Sequence, residues 1–510
     1  MINKCYIMWR YLHIKDNHGK GDIMTELLKG LKPEKVFYYF EEISRIPRGS
    51  GNEKKISDYL VSFAKSKNLE VIQDSFNNVI IKKAATKGYE NSPIVIIQGH
   101  MDMVCEKNNS KVHNFDVDPI ELIVEGDYVK ANGTTLGADN GIAVAYGLAL
   151  LDSDDIDHPP LEVLFTTDEE TGMTGAANLN PQHIQGRILI NIDNEEEGQL
   201  LVSCAGGLRT KLELQAERES INQDEYKKYK LMVSGLKGGH SGMDIIKQRA
   251  NANRILGRVL VDLINSIDYK LAEVKGGAKD NAIPREADAV ILVKEEKVDV
   301  LGKEISKWNE IFKNEYRKSD PGLLLQLEET EVCVQEVFTV DCRDKAVKLM
   351  YLIPNGIQTM SMDIEGLVQS SSNLGIVRTG QKTISYESAV RSSVKSLKHD
   401  IVNQTLILSQ ALGAEVTVHS EYPEWQYDNQ SKIREVFQRV YKEMYGKDAE
   451  IVAIHAGVEC GLFKEKFPDI DMISFGPNLY DVHTPDEKMS ISSVQRSWDY
   501  LLNVLKSLKS

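Results

Sequence analysis

Residues 93–102 read PIVIIQGHMD. Ile94 to Ile97 form a short, continuous apolar run after a proline, the pattern of a strand buried on both faces. His100 and Asp102 stand just past its carboxyl end. In an open α/β sheet, ligands gather beyond the carboxyl ends of strands. Three further segments follow the same plan: residues 161–167 (LEVLFTT) lead into Glu169-Glu170, residues 187–192 (RILINI) into Asp193, and residues 471–475 (DMISF) into a loop carrying His483. Asp139 differs, because it sits at the start of the apolar helix expected over 140–151, entered through Gly137 and capped near Asp139. A helix over 56–65, with Ile56, Leu60, Phe63 and Ala64 at helical spacing, completes a helix–strand alternation running from Met24 to about Arg209. Such alternation predicts an α/β domain, its mixed sheet flanked by helices.

The middle of the chain reads differently. Charged strands (230–235, 287–293) and long helices (245–264, 394–412) surround a Lys-rich acidic segment between Glu295 and Glu331. After Asp428 the α/β character returns with a helix over 433–445 and the strand before His483. The expected organisation is therefore a catalytic domain over 24–208 and 425–510, interrupted by an inserted α+β domain over 209–424. Residues 1–23 lie before the first helical pattern (Leu28, Leu31, Val36, Phe37, Phe40) and are expected to be a disordered extension or an overlong start.

Bulk properties narrow the class. At 510 residues the chain exceeds one comfortable core, so two or more domains are expected. A net charge of -15 argues against nucleic acid or an anionic membrane as partner. The six cysteines include no CxxC pair, which suits reduced cytosolic thiols rather than a disulfide framework or a Cys-ligated zinc. Cys105 and Cys460, close to the motifs, read as small buried apolar groups. No apolar stretch approaches the roughly 20 residues that span a bilayer.

The strand-end residues form an oxygen and nitrogen donor set suited to two zinc-like ions, with one carboxylate left over as general base; hydrolysis at a two-metal site is the leading expectation. In His100-x-Asp102 the histidine binds metal through one nitrogen while the aspartate accepts from the other N–H and fixes the tautomer. Adjacent Glu169 and Glu170 diverge in a turn, one reaching metal and the other a water, and the base is whichever stays off the metal. Asp139, with two oxygens, suits a bridge between the ions.

Taken together, IIQGHMDMVCEK (96–107), GADNGIAVA (137–145), TTDEETGMTGA (166–176) and DVHTPDE (481–487) resemble the M20 clan of metallopeptidases. GHSGMDI (239–245), SSSNLG (370–375) and HAGVECGLF (455–463) narrow the likeness to its bacterial aminoacyl-histidine dipeptidase branch. The resemblance runs from Met24 to the C-terminus. It implies two Zn2+ per subunit, replaceable by Co2+ or Mn2+. Asp139 would bridge them, with His100 and Asp193 on one metal, Glu170 and His483 on the other, and Glu169 as base and later proton donor. It also implies a cis Asp139–Asn140 peptide. The inserted domain becomes a lid, and His240 stabilises the oxyanion, often across a homodimer formed through the lid. Asn281 and Arg391 are candidates to hold a dipeptide substrate, Arg391 by gripping its carboxylate. Asn373, Ser371, His455 and Glu459 are further candidates for the specificity pocket. The implied activity is a cytoplasmic dipeptidase acting on Xaa-His dipeptides, β-Ala-His included. Its competitors are an amidase or deacylase of N-acyl amino acids and a binding protein that kept the fold without the chemistry.

Overall fold

In the computed structural model, residues 27–509 are described; the expectation for residues 1–23 lies outside them. Eight strands form a mixed sheet. Leu161–Thr166, Val95–His100, Ile188–Asn191 and Asp471–Ser474 are consecutive neighbours in that sheet. All three pairings between them are parallel, with Val95 opposite Leu161 and Ile188, and Ile188 opposite Asp471. Four parallel neighbours end at one edge, so the loops bearing Glu169-Glu170, His100, Asp193 and His483 leave from the same side.

Both faces of this sheet are covered, as continuous apolar runs require. Val95 and Ile97 face one core with the helices Glu34–Ser44, Lys54–Ser66, Ala138–Leu151 and Ile491–Ser507. Ile96 faces the other with Cys460 and Phe463 of the helix Glu459–Lys466. The helix Ala138–Leu151 is buried along nearly its whole length. It approaches the His100 strand closely at Gly99, where a Cβ would stand 2.3 Å from both Ala143 Cβ and Asn140 Oδ1. A small hairpin pairs Leu479–Tyr480 with Lys488–Ser490 and closes the His483 loop.

The inserted region is antiparallel. A nine-stranded sheet uses strands that begin at Gly206 and end at Tyr422, all between the sixth (Gln199–Cys204) and seventh (Glu450–Ile454) strands of the first sheet in chain order and none shared with it. The helices Ala252–Ser266, Val298–Glu315 and Val340–Leu352 build a separate core on it. The architecture is thus an α/β catalytic domain interrupted by an α+β lid. No described helix is long and apolar enough to cross a membrane.

Three local expectations need correcting. The helix expected over 245–264 begins at Ala252: residues Ile245–Lys247 form a 3-10 turn, Gln248 is left-handed (φ 49°), and Asn251 caps the new start by accepting from Arg254 N–H. Asp139 makes no cap hydrogen bond; the first helical turn is satisfied by Glu487 instead. Cys105 is exposed, because the chain leaves the His100 strand into a surface loop, whereas Cys460 is buried as expected.

Candidate metal centre

The Asp139 carboxylate stands at the middle of the site. Its Oδ1 lies 3.2 Å from His100 Nε2, and its Oδ2 lies 3.1 Å from His483 Nε2. Asp193 Oδ1 is 3.6 Å from the same His100 nitrogen, and Glu170 Oε2 is 3.0 Å from the same His483 nitrogen. Two groups result, His100–Asp139–Asp193 and Asp139–Glu170–His483, each with its donor atoms within 4.8 Å of one another. Asp139 belongs to both. The Asp139–Asn140 peptide is cis. Asn140 turns inward, accepting from His100 N–H and donating to the Ile192 carbonyl, which ties the strands of His100 and Asp193 to the helix start.

Asp102 is wholly buried beside this pair. Its Oδ1 lies 3.3 Å from His100 Nδ1, which leaves Nε2 turned toward Asp139 and Asp193. The same carboxylate accepts from the Glu169 and Glu170 N–H groups and from Ser50 Oγ. Burial raises its pKa, but the hydrogen bond and charge of His100 outweigh that and hold it at about 2. Glu169 is the opposite case. Burial pushes its carboxyl well above the ordinary range, His100 opposing and the Asp193, Glu459 and Glu170 carboxylates adding to it. Burial likewise lifts Asp193 to about 6 and Glu459 to about 7. Hydrogen bonds to Asp139 and Glu170 push His483 up to about 11. Carboxylates crowded this way are a site built for added positive charge.

The lid residues gather separately. His240 Nδ1 accepts from the Gly242 and Met243 N–H groups, so the neutral ring carries its proton on Nε2. Burial, then the charge of Arg391, lower its pKa and favour that neutral form. Arg391 Nη2 lies 3.5 Å from His240 Nε2, and its Nη1 donates to Tyr422 Oη. Asn281 lies alongside, its carbonyl accepting from Ser241 N–H. Asn373 is committed elsewhere: its amide donates to the carbonyls of Asp280 and Ala282, on either side of Asn281, so it supports that loop. Ser371 Oγ is 2.7 Å from His455 Nε2. Glu459, four residues on, accepts from Gln98 and Thr166 beneath the His100 strand end. The segment 455–459 therefore bonds on one side to Ser371 of the lid and on the other to Gln98 and Thr166, in the strands that lead to His100 and Glu169. Among the described residues, no hydrogen bond or ion pair joins His240 or Arg391 directly to the Asp139 cluster.

The turn PRGSGNE at 47–53, which carries no metal-ligand pattern of its own, also supports the site. Besides Ser50, Glu53 accepts from the Gly51 and Asp168 N–H groups, steadying the loop before Glu169. An Arg and a Glu set among glycines between two helices was the available signal; their burial was not readable.

Comparison with known proteins agrees with this geometry. The sequence model of peptidase family M20/M25/M40 matches residues 96–507. The cytosol non-specific dipeptidase of Escherichia coli is 39% identical over 485 residues, covering 95% of this chain and 99% of that protein. The crystal structure of aminoacylhistidine dipeptidase from Vibrio alginolyticus superposes with a TM-score of 0.91 at 38% identity, over 94% of this chain and 98% of that one. The Bacillus cereus aminopeptidase PepT shares the fold at a TM-score of 0.55 and 14% identity, over 94% of this chain and all of its own. A match reaching from the His100 strand into the last helix, with relatives aligned almost end to end, places the chain in peptidase family M20/M25/M40.

Proposed function

We propose that this protein is a two-zinc dipeptidase that hydrolyses the peptide bond of dipeptides, Xaa-His and β-Ala-His among them. One observation carries the reading: the two oxygens of Asp139 face two separate ligand groups. The names of the relatives at 38–39% identity support the substrate class.

The residues present fit a pair of divalent ions. The donors are carboxylate oxygens and imidazole nitrogens, the set that zinc accepts. Glu170 Oε1 is buried with no hydrogen-bond partner among the described residues, and the raised Asp193 and Glu169 carboxyls mark uncompensated negative charge. His100 and Asp193 would hold one ion, Glu170 and His483 the other, with Asp139 between them. Ions bound there polarise a carbonyl and make water more acidic.

The chain's own groups do the rest. Asp102 holds the His100 ring in the tautomer that presents Nε2. Glu169 takes a proton from the attacking water as the water oxygen bonds to the peptide carbonyl carbon and the carbonyl π bond opens to an oxyanion. The same carboxyl returns that proton to the nitrogen as the C–N bond breaks, releasing two amino acids. His240 offers its Nε2–H to the developing oxyanion. Its place in a separate lid cluster supports a homodimer in which one protomer's lid serves its partner. Arg391 has a buried Nε–H with no acceptor among the described residues, which supports its gripping the substrate carboxylate.

The test is a panel of Xaa-His and other dipeptides beside N-acetyl amino acids, with and without chelator. Chelator-sensitive cleavage of dipeptides supports the proposal. Cleavage of N-acetyl amino acids alone would make the protein a deacylase.

A further inference from the structure

Arg48 is only 2% exposed, yet it lies in a turn at the start of the domain rather than deep in either core. Its guanidinium partners are backbone carbonyls. Nη1 donates to Met101 and Asp102, each at 3.2 Å, and Nη2 donates to Gly137. Glu487, equally buried, ends the loop that carries His483. Its Oε2 accepts from Leu136 N–H (2.7 Å) and Gly137 N–H (2.9 Å), and its Oε1 from Ala138 N–H (2.8 Å) and Asp139 N–H (3.3 Å). The four residues leading to the Asp139 carboxylate are thus held by an anion through their N–H groups and by a cation through a carbonyl.

The bracket is tight. A Cβ on Gly137, whose φ is 68°, would stand 2.6 Å from Arg48 Nη2, and one on Gly141 would meet the same atom at 2.6 Å. It also spans the site. Arg48 ties the segment to the loop between His100 and Asp102, and Glu487 ties it to the loop of His483. Zinc–oxygen bonds are about 2.0–2.2 Å long, so a small backbone shift here displaces both Asp139 oxygens from bonding range at once.

We propose that Arg48 and Glu487 are positioning residues that set the Asp139 carboxylate between the two ligand groups and thereby tune both metal affinities together. This rests on the two-metal reading above. A ligand such as His483 serves one group; the bracket serves the residue common to both.

The test is zinc titration of chelator-stripped protein against a competing chromophoric chelator, with folding checked by circular dichroism. Arg48→Met and Glu487→Gln should each weaken both zinc affinities in parallel, by about ten-fold or more. Arg48→Lys should recover part of the loss, since an ammonium keeps the charge without the fork. His483→Ala should weaken chiefly one site. Arg343→Met removes a comparably buried arginine from the lid, one that donates to the Tyr269 carbonyl, and should leave both affinities unchanged. Folded Arg48→Met and Glu487→Gln proteins with wild-type affinities, or with losses confined to one zinc, overturn the inference. If Arg48→Met does not fold, Arg48→Lys and Glu487→Gln decide by the same outcomes. A wild-type protein that binds fewer than two zinc ions overturns the two-metal reading itself, a separate result.

Discussion

Glu169 and Glu170 are adjacent and chemically identical, and only their neighbours tell them apart. Glu170 Oε2 sits 3.0 Å from His483, inside a ligand group. Glu169 belongs to neither group, and burial among acids keeps its carboxyl able to hold a proton. Glu169→Ala is therefore expected to abolish dipeptide turnover while elemental analysis still finds both metals. Loss of metal instead would mean that the two glutamates exchange roles. His240→Ala should lower kcat by about 100-fold or more, the scale of losing one oxyanion donor, with metal content unchanged; an unaltered kcat would remove its catalytic part. At this scale much of the site was legible, because His100, Glu169, Glu170 and Asp193 follow apolar runs in the sequence. Arg48, Ser50, Glu53 and Glu487 were not. Their partners are mostly backbone atoms and side chains of distant loops, and nothing in local sequence states such pairings.

Strands and helices were legible wherever one period dominated. The short continuous apolar run before His100 reads as a buried strand, and the helix Ala138–Leu151 is apolar almost throughout. The lid helix was misplaced by seven residues because Ile245 and Ile246 continue an apolar pattern across a left-handed Gln248 that periodicity does not register. Strand adjacency was also beyond reach, since parallel neighbours are set by long-range packing. Packing at Gly99 offers a test of that arrangement. Gly99→Val places a branched side chain where even a Cβ would stand 2.3 Å from Ala143 Cβ and Asn140 Oδ1. Overpacking of this kind costs about 1–3 kcal/mol, and moving Asn140 disturbs its hydrogen bond to His100. Denaturant unfolding should show that loss, and zinc affinity should fall with it. A variant as stable and as zinc-avid as wild type would contradict the close packing.

At the scale of the whole molecule, the ligand groups draw on segments that lie hundreds of residues apart. Asp139 and His483 are separated by 344 positions, with the entire lid between them. Metal should therefore act as a cross-brace on the catalytic domain. A ligand held at about a thousand times its Kd stabilises a fold by about 4 kcal/mol, so chelation should lower the unfolding temperature and zinc should restore it. An unchanged transition would mean that the ions contribute nothing to the fold. The insertion itself was visible in sequence as a change of texture that later reverted; how the lid cluster faces the site was not, because segment 455–459 links them through contacts that only the folded chain makes. The most direct test of the account is to titrate stripped protein with zinc while following β-Ala-His hydrolysis and bound metal together. Two zinc ions per chain, with turnover rising as the second binds and with both lost in Asp139→Asn, is the predicted result. Full hydrolysis without metal, or two zinc ions still bound in Asp139→Asn, would contradict it.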